Sequence, residues 1–107
     1  MTTDGGQAAW LFVDSPHPKL HFYDGSTITV VDSGEINGFT LRLARGRLIY
    51  EKVDDGVSHV FLYDDLSQTP AALFRISPDT DAAHGNFAPA TDGYHVAWLY
   101  GDANGAN

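Results

Sequence analysis

The residues in this chain with the most chemistry to offer are five histidines and fourteen acidic side chains. His17 and His21 are four apart, the spacing that places two imidazoles on one helical face. Here they span a proline-bounded turn and a strand pattern, so that zinc geometry does not arise. His59, His84 and His95 are scattered. Ser58 and His59 are adjacent in a strand pattern, which sends their side chains to opposite faces and separates nucleophile from base. Asp14, Ser15 and His17 sit in a turn fixed by Pro16 and Pro18. There is no Gly-x-Ser-x-Gly elbow and no phosphate-cradling glycine loop. Carboxylates for glycoside hydrolysis could come from Asp24, Glu35, Glu51 or Asp64, but spacing selects no pair. No catalytic residue is assigned, and the chain is not expected to be an enzyme.

Metal chemistry has one candidate. Asp102-Ala103-Asn104-Gly105-Ala106-Asn107 offers oxygen ligands at alternating positions around a glycine, in partial imitation of a calcium loop. The third ligand and the closing glutamate of an EF-hand are absent. Asp102 and Asn104 are the first candidates for calcium. The other reading is that Asp, Asn and Gly are the residues tight turns demand. Asp54-Asp55-Gly56 and Asp79-Thr80-Asp81 are shorter cases of the same ambiguity. No other cofactor is expected.

The charge balance narrows the partners. Six Lys plus Arg against fourteen Asp plus Glu give a net charge of −8 over 107 residues. A duplex-binding surface needs clustered cations, and the one basic cluster is Arg42, Arg45 and Arg47, read as a solvated strand edge. Nucleic acid and anionic membranes are therefore excluded as partners. With no cysteine, disulfides, thiolate catalysis and cysteine-ligated zinc are ruled out. The opening Met-Thr-Thr-Asp-Gly-Gly-Gln carries neither the basic nor the apolar part of a secretory leader. No apolar run is long enough to span a bilayer. A soluble chain is expected, with its compartment undetermined.

The elements that must position these residues are strands. Ala8–Val13, Lys19–Tyr23, Thr27–Val31, Phe39–Ala44, Arg47–Val53, Ser58–Tyr63, Ala72–Ile76, Asn86–Ala90 and Tyr94–Tyr100 are rich in β-branched and aromatic residues and are separated by turn formers. Along Arg47–Val53, Leu48, Tyr50 and Lys52 face one way and Ile49, Glu51 and Val53 the other. Tyr94–Tyr100 is largely apolar on both faces, as in a strand covered on both sides. A phrase also recurs: Ala9-Trp10-Leu11-Phe12-Val13-Asp14, Ile49-Tyr50-Glu51-Lys52-Val53-Asp54 and Ala97-Trp98-Leu99-Tyr100-Gly101-Asp102, at intervals of about 40 and about 48 residues. A second phrase follows the first two copies, as His21-Phe22-Tyr23-Asp24-Gly25 and Val60-Phe61-Leu62-Tyr63-Asp64-Asp65. That period suits an antiparallel blade repeat. Trp10, Tyr50, Trp98, Tyr23 and Tyr63 are then expected as aromatics packed between blades.

Asp92-Gly93-Tyr94-His95-Val96-Ala97-Trp98 and His59-Val60-Phe61-Leu62-Tyr63-Asp64 resemble the second and third strands of TolB/WD40-like bacterial β-propeller repeats. The resemblance implies an all-β fold of antiparallel, propeller-like blades. The chain, residues 1–107, reads as one repeat unit with a partial blade at 7–36, a complete blade at 38–77 and a partial blade at 85–101. About two blades and a remnant cannot close a ring, because propellers take about four to eight. Self-association as a dimer or trimer is expected to complete it. The implied function is a non-catalytic binding or assembly module for an undetermined protein or small-molecule ligand. The alternative is a fragment, or an accessory or sensor domain, of a larger secreted hydrolase-type propeller protein.

Overall fold

A computed structural model describes residues 1–13, 18–65, 72–78 and 84–102, and within these also leaves the side chains of Ala72 and Asp102 undescribed. Ten strands and no helix occur among the described residues: β1 Thr2–Asp4, β2 Gln7–Phe12, β3 Lys19–Tyr23, β4 Ile28–Ser33, β5 Glu35–Ala44, β6 Arg47–Asp54, β7 Val57–Asp64, β8 Ala72–Arg75, β9 His84–Thr91 and β10 Val96–Asp102. No helix there is long and apolar enough to cross a membrane. Every strand pairs antiparallel with its sequence neighbour within three separate meanders, β1-β2-β3-β4, β5-β6-β7-β8 and β9-β10. The all-β, antiparallel expectation is met, and all nine expected strands are present, Lys19–Tyr23 with the expected ends and the other eight with shifted ones. The tenth, β1, has no counterpart among them.

The three sheets stack in chain order. β1 and β2 lie against β5, and β9 lies across the middle sheet, chiefly against β7 and also against β6 and β5. Strand alternation decides what each interface contains. From the first sheet, Ala9, Leu20 and Phe22 point at the second, which answers with Leu48, Tyr50, Phe61 and Tyr63. Phe22 meets Tyr63 edge-on at 5.3 Å, and Tyr50 stacks on Phe61 at 5.8 Å. Ala9, Leu20, Leu48 and Tyr50 have no exposed surface, so this is the apolar core. Truncating Leu48 to Ala should cost about 2–5 kcal/mol. The buried Tyr50 hydroxyl is satisfied by the Asp32 carboxylate at 2.7 Å, and Lys52 reaches the other oxygen of Asp32 at 2.8 Å. Burial, followed by that hydrogen bond and the negative charge of Asp32, pushes the Tyr50 phenol far above its ordinary range.

β5 is interrupted. Its register with β6 jumps between Asn37 and Arg42. The loop-out is held by the Thr40 hydroxyl donating to the Asn37 carbonyl at 2.7 Å and by Arg42 donating to the carbonyls of Phe39 and Leu41. Its tip presents Phe39, 91% exposed. A bulge of this kind re-aims a side chain that regular pairing would bury.

The β5–β6 turn is clasped from both sides. On one side, the Thr2 hydroxyl accepts the Leu43 N–H at 3.1 Å and Asp4 accepts the Arg45 N–H at 2.7 Å. On the other, Arg47 donates to the Gly93 carbonyl while pairing with Asp64, and Arg45 covers the Tyr94 ring at 4.7 Å. Arg45 and Arg47 are thus tied into the β9–β10 turn, where a solvated edge was expected. Gly93 has φ +94°, and a Cβ there would fall 2.7 Å from Arg45.

The two outermost faces are the exception to good burial. The outer face of the first sheet carries Trp10, Phe12, His21, Tyr23, Ile28 and Val30, because Trp10 pairs with His21, His21 with Val30 and Tyr23 with Ile28. Trp10 stacks on His21 at 5.6 Å, and Phe12, Ile28 and Val30 are each more than half exposed. At the opposite end of the stack, Ala97 and Leu99 of β10 are exposed. The sequence implied cover on both faces of this last strand. Its register also shifts between Ala97 and Leu99, and no described strand lies beyond it.

Candidate functional site

The second interface, between the middle sheet and the β9–β10 hairpin, is polar where the first is apolar. Alternation on β6 sends Ile49 and Glu51 to this side, opposite Tyr50. Glu51 is only 9% exposed. Its Oε2 accepts the Ala88 N–H at 2.9 Å, at a point where β9 bends through a left-handed Ala88 (φ +51°). Its own N–H donates to the Thr40 hydroxyl at 2.9 Å, so the β5 bulge also positions it.

Ser58 and Asn86 continue the network. The Ser58 hydroxyl donates to the Asn86 carbonyl at 2.8 Å, and the Asn86 side-chain amide donates to the Ser58 carbonyl at 3.1 Å. Asn86 is fully buried, and its remaining oxygen accepts the Trp98 indole N–H at 3.0 Å. This exchange fixes the hairpin on the middle sheet by pairing groups that would be costly to bury alone.

Beside the network lies a cleft of about 250 Å³ lined by Glu35, Glu51, Ser58, His84, Gly85 and Phe87, among others. The Phe87 ring lies against Gly85, where a Cβ would fall 2.7 Å from it. His84 stacks on Tyr100 at 5.4 Å.

Of the four carboxylates considered for hydrolysis, the fold brings Glu35 and Glu51 to one cleft. Asp24 instead accepts the N–H groups of Ser26 and Thr27, both at 2.8 Å, and Asp64 pairs with Arg47 at 3.3 Å. The hydrogen bonds from Thr27 and then Ser26 hold Asp24 below the usual carboxylate range. His59 is buried with its Nδ1 2.7 Å from the Ser77 hydroxyl, and His95 lies beside the turn carboxylate of Asp92. His21 Nδ1 is buried without a hydrogen-bond partner among the described residues.

Of the expected aromatics, Tyr50 and Tyr63 are buried between the first two sheets. Trp98 faces the second interface, half-buried. Trp10 and Tyr23 lie half-buried on the outer face of the first sheet. The calcium candidates fall largely outside view: Asn104 is not among the described residues, nor is the Asp102 side chain. No group of three or more potential metal ligands occurs among the described residues. Asp14, Ser15 and His17 also lie outside them.

Ser58 was weighed only as a nucleophile; its partnership with Asn86 escaped sequence reasoning because it spans 28 residues and depends on how sheets stack. In comparison with known proteins, no family model, curated protein or solved structure matches this chain.

Proposed function

We propose that this chain is a non-catalytic, β-propeller-like binding and assembly module whose outer sheet faces are covered by further copies of itself. The observation that carries this reading is the pair of apolar faces at the two ends of the stack. One shows Trp10, Phe12, Ile28 and Val30, and the other shows Ala97 and Leu99. Exposed apolar side chains grouped on one sheet face suit an interaction surface. The two faces differ, so their contact is head-to-tail, and such contacts either close into rings or grow into fibres.

The order of the strands supports closure. Each sheet is an antiparallel meander, and the sheets follow one another in chain order, as blades do. The ten described strands per chain, in two four-stranded sheets and a two-stranded remnant, give twenty in a dimer, or about five four-stranded blades, within the range of about four to eight that propellers adopt. The thirty described strands of a trimer would not divide into four-stranded blades, so the dimer is preferred.

Light scattering behind a sizing column tests this. A species of twice 11.6 kDa that persists on dilution is the expected result. A folded monomer at high concentration would overturn it, and would favour the reading in which these sheets belong to a larger propeller protein.

A further inference from the structure

We infer, resting on the assembly reading above, that contact through the outer face of the first sheet is gated by pH at His21. The copies hold together while this imidazole is neutral and part when it is protonated.

His21 lies at the middle of that face. Strand pairing sets it between Trp10 on β2 and Val30 on β4. Its ring stacks on Trp10 at 5.6 Å and meets Phe12 edge-on at 5.9 Å. Its Nδ1 is buried and has no hydrogen-bond partner among the described residues. A neutral imidazole tolerates this, because one of its nitrogens is a bare lone pair, whereas the charged form carries a proton on both. At Nδ1 that proton would be buried with nothing to accept it. On the free face the half-buried ring can turn and hand the proton to water. Under a second copy it cannot, and a charge without a partner is costly to bury.

Among the described residues of the first sheet, no opposite charge relieves it. β2 and β4 bring Trp10, Phe12, Ile28 and Val30 to this face, none of which titrates. β3 adds Lys19, itself a cation, and Tyr23, whose hydroxyl donates to the Gly25 carbonyl at 2.8 Å. The described carboxylates of this sheet are engaged elsewhere: Asp4 with the Arg45 N–H, Asp24 with its own turn, and Asp32 with Tyr50 and Lys52. The face it would meet is that of Ala97 and Leu99. There His95, beside Ala97, lies 3.2 Å from the Asp92 carboxylate, which compensates its proton. His21 is left as the group whose charge the contact cannot absorb.

Sedimentation velocity between about pH 8 and about pH 5.5 tests the gate. Acid neutralises part of the −8 charge, which by itself would tighten association. The opposite is expected: a dissociation constant that rises about tenfold for each buried His21 over the first pH unit below the histidine range of about 6.5. His21→Phe keeps a ring on Trp10 and removes the titration, so it should reverse the sign and let acid tighten the contact. His95→Asn should leave the acid dissociation in place. In the parent protein the His21 ring protons, followed by NMR, should titrate at lower pH in concentrated than in dilute samples, a readout that needs no variant. A dimer equally tight or tighter in acid, acid dissociation that survives in His21→Phe, or an NMR midpoint that ignores concentration would overturn the gate and leave the assembly standing. A monomer at both pH values would overturn the two together.

Discussion

Asp24 and Asp92 perform one task in two hairpins. Each precedes a glycine at positive φ and accepts two backbone N–H groups, those of Ser26 and Thr27 in one turn and of Tyr94 and His95 in the other. The hydrogen bonds from Tyr94 and then His95, with the His95 ring beside them, hold the Asp92 carboxyl far below its ordinary 3.8. A depressed folded-state value means that the stabilisation is complete above the ordinary carboxylate range and is lost as pH falls below about 3.8. Asp92→Ala should accordingly lower the melting temperature at pH 7 and flatten the acid limb of the stability profile, which a set of thermal melts would read. Gly93→Ala is a sharper test of the same turn. The new methyl group would meet Arg45 in a backbone conformation unsuited to alanine, and a loss of about 1–3 kcal/mol is expected by denaturant titration. Tyr50→Phe removes the donor to Asp32 while keeping the ring, and should cost about 1.5–3 kcal/mol in the same experiment, because the bond reaches a charged acceptor.

At the scale of elements, the middle sheet was the most legible part of the chain. The alternation along Arg47–Val53 places Tyr50 and Glu51 on opposite faces, and the structure sends one to Asp32 and the other to Ala88. β1 was not legible, because Thr2–Asp4 is three polar residues long. Its signal was the turn Asp4-Gly5-Gly6, with both glycines at positive φ, and beyond its short pairing with β2 it is held by Leu43 and Arg45, remote in sequence. The β5 bulge was equally hidden, since it depends on side-chain bonds from Thr40 and Arg42 that no pattern of polarity records. The cleft was half legible: its carboxylates were visible as types, but Glu35, Glu51 and Phe87 meet only once the hairpin docks. Phe39, displayed by the bulge, makes so little buried contact that Phe39→Ser should leave the unfolding free energy within about 0.5 kcal/mol of the parent.

At the scale of the whole molecule, charge and apolar surface pull in opposite directions. Each copy carries −8, so copies repel, while in the proposed assembly the faces around Val30 and Leu99 would draw them together. Added salt should therefore tighten self-association by screening the repulsion, and sedimentation at low and high ionic strength would show it. Val30→Lys, on the outer face of the first sheet, should abolish association and leave the core intact, giving a folded monomer by light scattering. The clasp that joins β1 to the β5–β6 turn also has a consequence in time. Its two bonds each bridge 41 residues, so the clasp can close only once the β1–β2 hairpin and the β5–β6 turn have come together. Closing so long a loop is slow compared with forming a local hairpin. The clasp is thus among the last contacts to lock, and until it does, the amides of Leu43 and Arg45 remain open to exchange with solvent hydrogen.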